Sequence, residues 1–289
     1  MSNFIIVCDS NSELPLSYKE EHDVPVLYMP YTIDGVEYFY DLGKTIDIDA
    51  FYERLEQGAM PTTAQRNSYE FIEFWTPLLE QGKDILYIAF SAALSGTFAN
   101  ALQAVETLKE QFPERRIRCV DTKCISVGIS LLVMKAIDMQ NQGKSLDEIA
   151  QWVEDNRMRV NHWFTVMDLN HLKRGGRISS TTAFMGSLLE IKPILHVNEE
   201  GKLVPWGKAK GRKKSMRAIA QKMVDNRIDP KEILFIPQAH CPEDAEALKE
   251  ICLELVPELE HIWINPVGPV IGTHAGSGVL AVVFFGEHR

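Results

Sequence analysis

Three short polar segments carry side chains whose type and spacing suit the capture of an anion. Ser91-Ala-Ala-Leu-Ser-Gly-Thr97 follows the apolar run ILYIA at 85–89 and precedes a helical pattern from Phe98 to about Phe112, so it reads as a strand-to-helix turn. The free N–H groups and positive dipole end of such a helix attract a carboxylate or phosphate, and the hydroxyls of Ser95 and Thr97 add donors. The same residues equally suit a helix cap. Pro61-Thr-Thr-Ala-Gln65 places hydroxyls and an amide near the next helix start, with a plain polar turn as the alternative. His274 stands in Gly272-Thr-His-Ala-Gly-Ser-Gly278, a glycine loop that allows close backbone approach before the final strand. Its imidazole can donate to a carboxylate or simply cap a strand end.

Two basic segments could serve the same anion or a partner. Leu172-Lys-Arg-Gly-Gly-Arg-Ile178 suits a tight turn presenting Arg177, and also a helix C-cap with solvated cations. Lys208, Lys210, Arg212, Lys213, Lys214 and Arg217 form a basic cluster on an acidic background, readable as a solvated face or as a steering patch beside a ligand mouth.

The elements that must position these residues follow from periodicity. FIIV at 4–7, VPVLY at 24–28, ILYIA at 85–89 and IRCV at 117–120 alternate with amphipathic stretches, which predicts a mostly parallel sheet flanked by helices. Ligands of such sheets collect beyond the carboxyl ends of the strands, so Asp9-Ser10, the 91–97 turn and Asp121-Thr122 matter most, with Ser10, Gly96 and Thr97 as supporting groups of an anion turn. Asn67-x-x-Glu70 and Ser145-x-x-Glu148 read as capping boxes. Beyond Arg157, further short strands alternate with helices. These predict a second α/β domain, giving domains at 1–160 and 161–289 with the ligand between them.

Composition narrows the function. The chain has 289 residues, 45% hydrophobic and 24% charged, which fits two ordinary globular domains. A formal charge of −10 disfavours nucleic acid. No run of about 18 apolar residues and no basic leader is present, so a cytoplasmic protein is expected. Five cysteines without a CxxC pair argue against a zinc site or disulfide framework, and no metal or cofactor is expected.

Taken in order, IVCDSNSELP, PTTAQ, SAALSGTFANA, LKRGGRI, KPIL and GTHAGSG resemble the DegV family along essentially the whole chain. The resemblance implies a two-domain DegV-like α/β fold with a long-chain fatty acid held between the domains. It also implies a FakB-type role, presenting the acyl carboxylate to a separate ATP-dependent fatty acid kinase, with transient contact to a membrane surface and a place in phospholipid metabolism. Thr63, Ser95 and His274 match the family's carboxylate ligands. Arg177, Lys210 and Arg212 fall in segments associated with the partner, Lys210 where an arginine is common. Ala64, Arg66 and Ser277 depart from the family's serine, proline and proline, which bears on ligand choice.

A carrier suits the physics of such a ligand. Burying an unpaired carboxylate costs several kcal/mol, so donors must converge on it. An acyl tail contributes about 0.8 kcal/mol per methylene, roughly 12 kcal/mol gross for sixteen carbons. Phe164, Phe184, Met185, Leu188, Leu189 and Ile194 are the expected tunnel lining. The alternatives are a serine-dependent lipid hydrolase using Ser95, His274 and Asp9 or Asp121, and a nucleotide-binding regulator. The chain lacks both the GxSxG elbow of the first and the Walker A or strand-borne GxGxxG of the second.

Overall fold

The computed structural model describes residues 3–167, 169–178 and 190–289, and all statements about the structure concern these. Its strands are β1 (Phe4–Asp9), β2 (Val26–Leu27), β3 (Met29–Ile33), β4 (Val36–Tyr40), β5 (Thr62–Thr63), β6 (Asp84–Ala89), β7 (Ile117–Asp121), β8 (Val160–Thr165), β9 (Ile191–Val197), β10 (Leu203–Lys210), β11 (Ile233–Gln238), β12 (His261–Pro266) and β13 (Leu280–Phe285). The helices are α1 (Leu16–Glu21), α2 (Ile48–Glu56), α3 (Ser68–Glu80), α4 (Thr97–Gln111), α5 (Val127–Asn141), α6 (Leu146–Asn156), α7 (Asn170–Arg174), α8 (Arg212–Asp225), α9 (Pro242–Leu255) and α10 (Pro269–Ala275). None of them is long and apolar enough to cross a membrane.

The expected parallel sheet is present as β2-β1-β6-β7, parallel throughout. A six-stranded sheet, β10-β9-β8-β13-β11-β12, is antiparallel except for the β11–β12 pair. A small antiparallel sheet, β4-β3-β5, was not expected, because β4 is largely exposed and β5 spans two residues. The two capping boxes form as the sequence predicts, Asn67 and Ser145 each accepting from the N3 amide while Glu70 and Glu148 reach back.

Strand alternation sorts the core into three layers, because successive side chains leave a strand on opposite faces. On β6, Ile85, Tyr87 and Ala89 pack with Phe71 and Trp75 of α3 and Ala101, Ala104 and Leu108 of α4. Leu86 and Ile88 point the other way, into a central layer. On β13, Leu280, Val282 and Phe284 join Met216, Ile219 and Met223 of α8 and Leu248 and Cys252 of α9, whereas Ala281, Val283 and Phe285 face the centre. Each fully buried aliphatic side chain contributes about 1.5–3 kcal/mol. The central layer is filled by α5, which packs against β1 and β6 on one side and β8, β11 and β13 on the other.

Candidate functional site

A cavity of about 420 Å³ opens between the two large sheets, within the usual range of roughly 300–1,000 Å³ for small-molecule sites. Its wall is mainly apolar, with Phe164 of β8, Ala281 and Val283 of β13, and Val267, Val270 and Val279 from the segments around α10. Thr63, Ser95, Gly96, Arg177 and His274 also line it. Residues from sequence positions 63 to 274 therefore meet at one wall.

Each polar group arrives on a different element. Thr63 ends β5, which is held by its pairing with β3 at Tyr31. Its hydroxyl shares a 2.8 Å hydrogen bond with His274 Nε2. His274 is not in a loop, as its glycine-rich surroundings suggest. It lies in the last turn of α10, which Pro269 opens at the first helical position and Gly276, at φ +82°, closes. Ser95 precedes α4; its Oγ accepts from the Thr97 amide at 3.2 Å and bonds the Thr97 hydroxyl at 2.9 Å. Ser95 thus both accepts from the first amide of α4 and lines the cavity, while Gly96 is the N-cap.

Close approach explains one of the glycines. A Cβ on Gly175 would lie 2.3 Å from His274 Nδ1, a distance that a ring packed in the cavity wall does not allow, whereas the Gln65 amide end that a Cβ on Gly96 would meet at 2.2 Å is exposed and can swing aside. The double glycine therefore does more than turn the chain, since Gly175 seats the imidazole.

Electrostatically the site is neutral but for one cation. Burial, with a smaller push from the Arg177 charge, lowers His274 to about 4, so its ring is uncharged at neutral pH. Its Nδ1 is buried without a hydrogen-bond partner. Arg177 sends Nε to Leu94 O at 3.3 Å and Nη1 to Gly175 O at 2.6 Å, and burial lowers its pKa. Half-buried, it lines the cavity. An anion entering here meets hydroxyls, an imidazole and a guanidinium.

Other sequence expectations need correction. Ser10 is fully buried and accepts from the Met29 amide at 2.9 Å; it braces β3 and does not line the cavity. Thr97 is also buried and acts through Ser95. Ile194 packs in the outer layer with Trp163 and Met216, because its register places it on the face opposite Leu195. Phe184, Met185, Leu188 and Leu189 lie outside the described residues. Arg212 is occupied by Asp244 at 2.7 Å and Cys241 Sγ at 3.5 Å, anchoring the start of α8. Lys210 is exposed and pairs with Glu190 at 3.2 Å. Arg66 turns away from the ligand groups, binding Tyr28 O and Glu70 and covering the Phe39 ring at 4.6 Å. Ser277 binds Glu56.

Sequence reading missed several lining residues, among them Asn11, Ser126 and His162. Asn11 lies in the polar run after β1, one residue beyond the Asp9-Ser10 pair that the strand-end rule singles out. His162 alternates with Trp163 on β8, and only the sheet's facing decides that it points inward.

The DegV family, described as one of uncharacterised proteins, matches residues 3–287. A DegV domain-containing protein of Clostridium perfringens is 46% identical over 290 residues, covering 100% of this chain and 99% of the relative. Among solved structures, a fatty acid binding DegV family protein of Streptococcus agalactiae superposes with a TM-score of 0.87 at 29% identity, covering 100% of both chains. A Thermus thermophilus structure described as fatty acid binding of a DegV family protein gives 0.87 at 28% identity, covering 98% of this chain and 99% of that one. With the same fold, nearly complete coverage of both chains and the family match running from residue 3 to 287, this chain belongs to the DegV family.

Proposed function

We propose that this protein binds a long-chain fatty acid in the cavity, its carboxylate at Thr63, Ser95 and His274, and presents that carboxylate to a separate fatty acid kinase. The observation that carries this reading is one apolar cavity whose polar groups gather around the Thr63–His274 hydrogen bond. With its proton on Nε2, the neutral ring donates to Thr63 Oγ1, which leaves the Thr63 hydroxyl hydrogen free to donate to the carboxylate. Ser95 and Thr63 supply hydroxyls, and Arg177 balances the charge that burial alone would disfavour. The apolar wall takes the tail. The fatty acid binding named for the Streptococcus and Thermus relatives supports the ligand class.

The partner surface is assigned to Lys210 and the exposed lysines at the start of α8, with Arg177 reassigned to the ligand and Arg212 to structure. We place the protein in the cytoplasm, in keeping with its five free cysteines. Two domains are proposed from the strand sets, β1 to β7 making the four- and three-stranded sheets and β8 to β13 the six-stranded one; because β8 begins at Val160, the strand sets divide just before that residue, one position ahead of the expected 160/161. A hydrolase is disfavoured by the same geometry. His274 Nε2 engages Thr63, while Asp9 binds Tyr87 and Asn11, and Asp121 binds the Ala92 and Lys123 amides.

Extraction of gently purified protein, followed by palmitate uptake by the delipidated protein and ATP-dependent acyl phosphate formation with a fatty acid kinase, tests the proposal. A co-isolated long-chain fatty acid and tight uptake are expected, with Lys210→Glu sparing uptake but slowing acyl phosphate formation several-fold. Protein that neither carries nor takes up fatty acid overturns the ligand assignment; unchanged acyl phosphate formation by the variant overturns the partner surface.

A further inference from the structure

The carboxyl of Glu13 stands outside the cavity wall yet ties together three segments that build it. Glu13 is 1% exposed and its backbone is left-handed, at φ +51°. Oε1 accepts the Gly268 amide at 2.6 Å, and Oε2 meets the hydroxyl of Ser126, a cavity-lining residue that directly precedes α5. Its backbone carbonyl accepts from Asn265 Nδ2, at the end of β12, at 3.2 Å. Gly268 is the N-cap of α10, whose last turn carries His274.

A helix of seven residues has little stability of its own, so tertiary anchors set its orientation. Two anchors hold its entrance. Glu13 grips the Gly268 amide, and Tyr52 of α2 donates its hydroxyl to the Val267 carbonyl at 2.9 Å. The space between them is filled, since a Cβ on Gly268 would lie 2.2 Å from the Tyr40 ring. From Gly268 to His274 is about 9 Å along the helix axis, so a small tilt at the entrance displaces the imidazole against Thr63.

We propose that Glu13 is a positioning residue for the ligand's carboxylate site, fixing α10 so that His274 meets Thr63 and the head group in register. This inference rests on the fatty acid reading above. Burial pushes the Glu13 carboxyl up to about 8, so near neutral pH it is largely protonated and a carboxamide is a close mimic. Glutamine can accept from Gly268 with its oxygen and donate to Ser126 with its nitrogen.

The test measures palmitate and hexadecanol binding to delipidated protein by competition with a fluorescent acyl probe. Expected are a loss of palmitate affinity of roughly tenfold or more in Glu13→Ala, an unchanged hexadecanol affinity, and recovery of palmitate binding in Glu13→Gln. Tyr52→Phe removes only a hydroxyl from the second anchor and should shift palmitate affinity in the same direction, which keeps the question answerable should Glu13→Ala not fold. Equal loss of both ligands, or palmitate binding unchanged in Glu13→Ala and Tyr52→Phe, overturns the positioning role. Wild-type protein that binds neither ligand would instead overturn the fatty acid reading itself.

Discussion

His274 makes the stability of the fold depend on pH. Its folded value of about 4 lies below the usual 6.5 because the ring is buried beside Arg177. Between these values the unfolded chain takes up a proton that the folded chain refuses, so this contribution to stability is full above about pH 6.5 and is lost as pH falls toward 4. A carboxylate beside the ring reverses the bias by favouring the imidazolium. NMR titration of the His274 ring should therefore show a value near 4 without ligand and a rise of about one unit or more with palmitate bound. A value that stays fixed on loading would place the carboxylate elsewhere. At this scale the sequence singled out Thr63, Ser95 and His274, which the structure brings to one cavity wall, but concealed Glu13, because a glutamate in Asp9-Ser-Asn-Ser-Glu13 has the look of a solvated loop until tertiary packing buries it.

Among the elements, legibility depended on whether the signal was local. The capping boxes at Asn67 and Ser145 and the helix after Gly96 are written in neighbouring residues, and each formed near its expected position. α10 was hidden by the glycines around His274, although Gly268-Pro269 is a helix-start signal that would have revealed it. β5 has only two residues, and its pairing with β3 depends on contacts that no local pattern encodes. The double glycine separates two roles that local sequence merges. Gly175 has an ordinary φ of −73° and is needed for the His274 contact, whereas Gly176, at φ +70°, is needed for the turn. Gly175→Ala should weaken palmitate binding about tenfold or more. Gly176→Ala should cost about 1 kcal/mol of stability with binding retained. Parallel calorimetry and binding measurements check the pair, and identical profiles for both variants would refute the distinction.

For the molecule as a whole, alternating strands and helices revealed the α/β class, while the shared central layer went unread. Its signal was present in α5, where Val127, Ile129, Leu131, Leu132, Val133 and Met134 are buried around the whole circumference. A helix apolar on all sides must be covered on all sides, here by both large sheets. The two halves should consequently unfold together. Leu195→Ala, at a fully buried central position, is expected to cost about 2–5 kcal/mol and to lower the denaturant midpoint of one transition. Probes at Trp75 and Trp163, in the outer layers on opposite sides, should report the same midpoint, and two separated transitions would contradict the shared core.

The central layer also bears on how such a chain can vary by descent. A crossover near residue 160 would join the parallel sheet of one relative to the antiparallel sheet of another, exchanging one wall of the core without the wall shaped to meet it. Neither the packing around α5 nor the contact between Thr63 and His274 lies within one parent segment. The halves therefore have to match, and a change in the packing of one must be answered in the other.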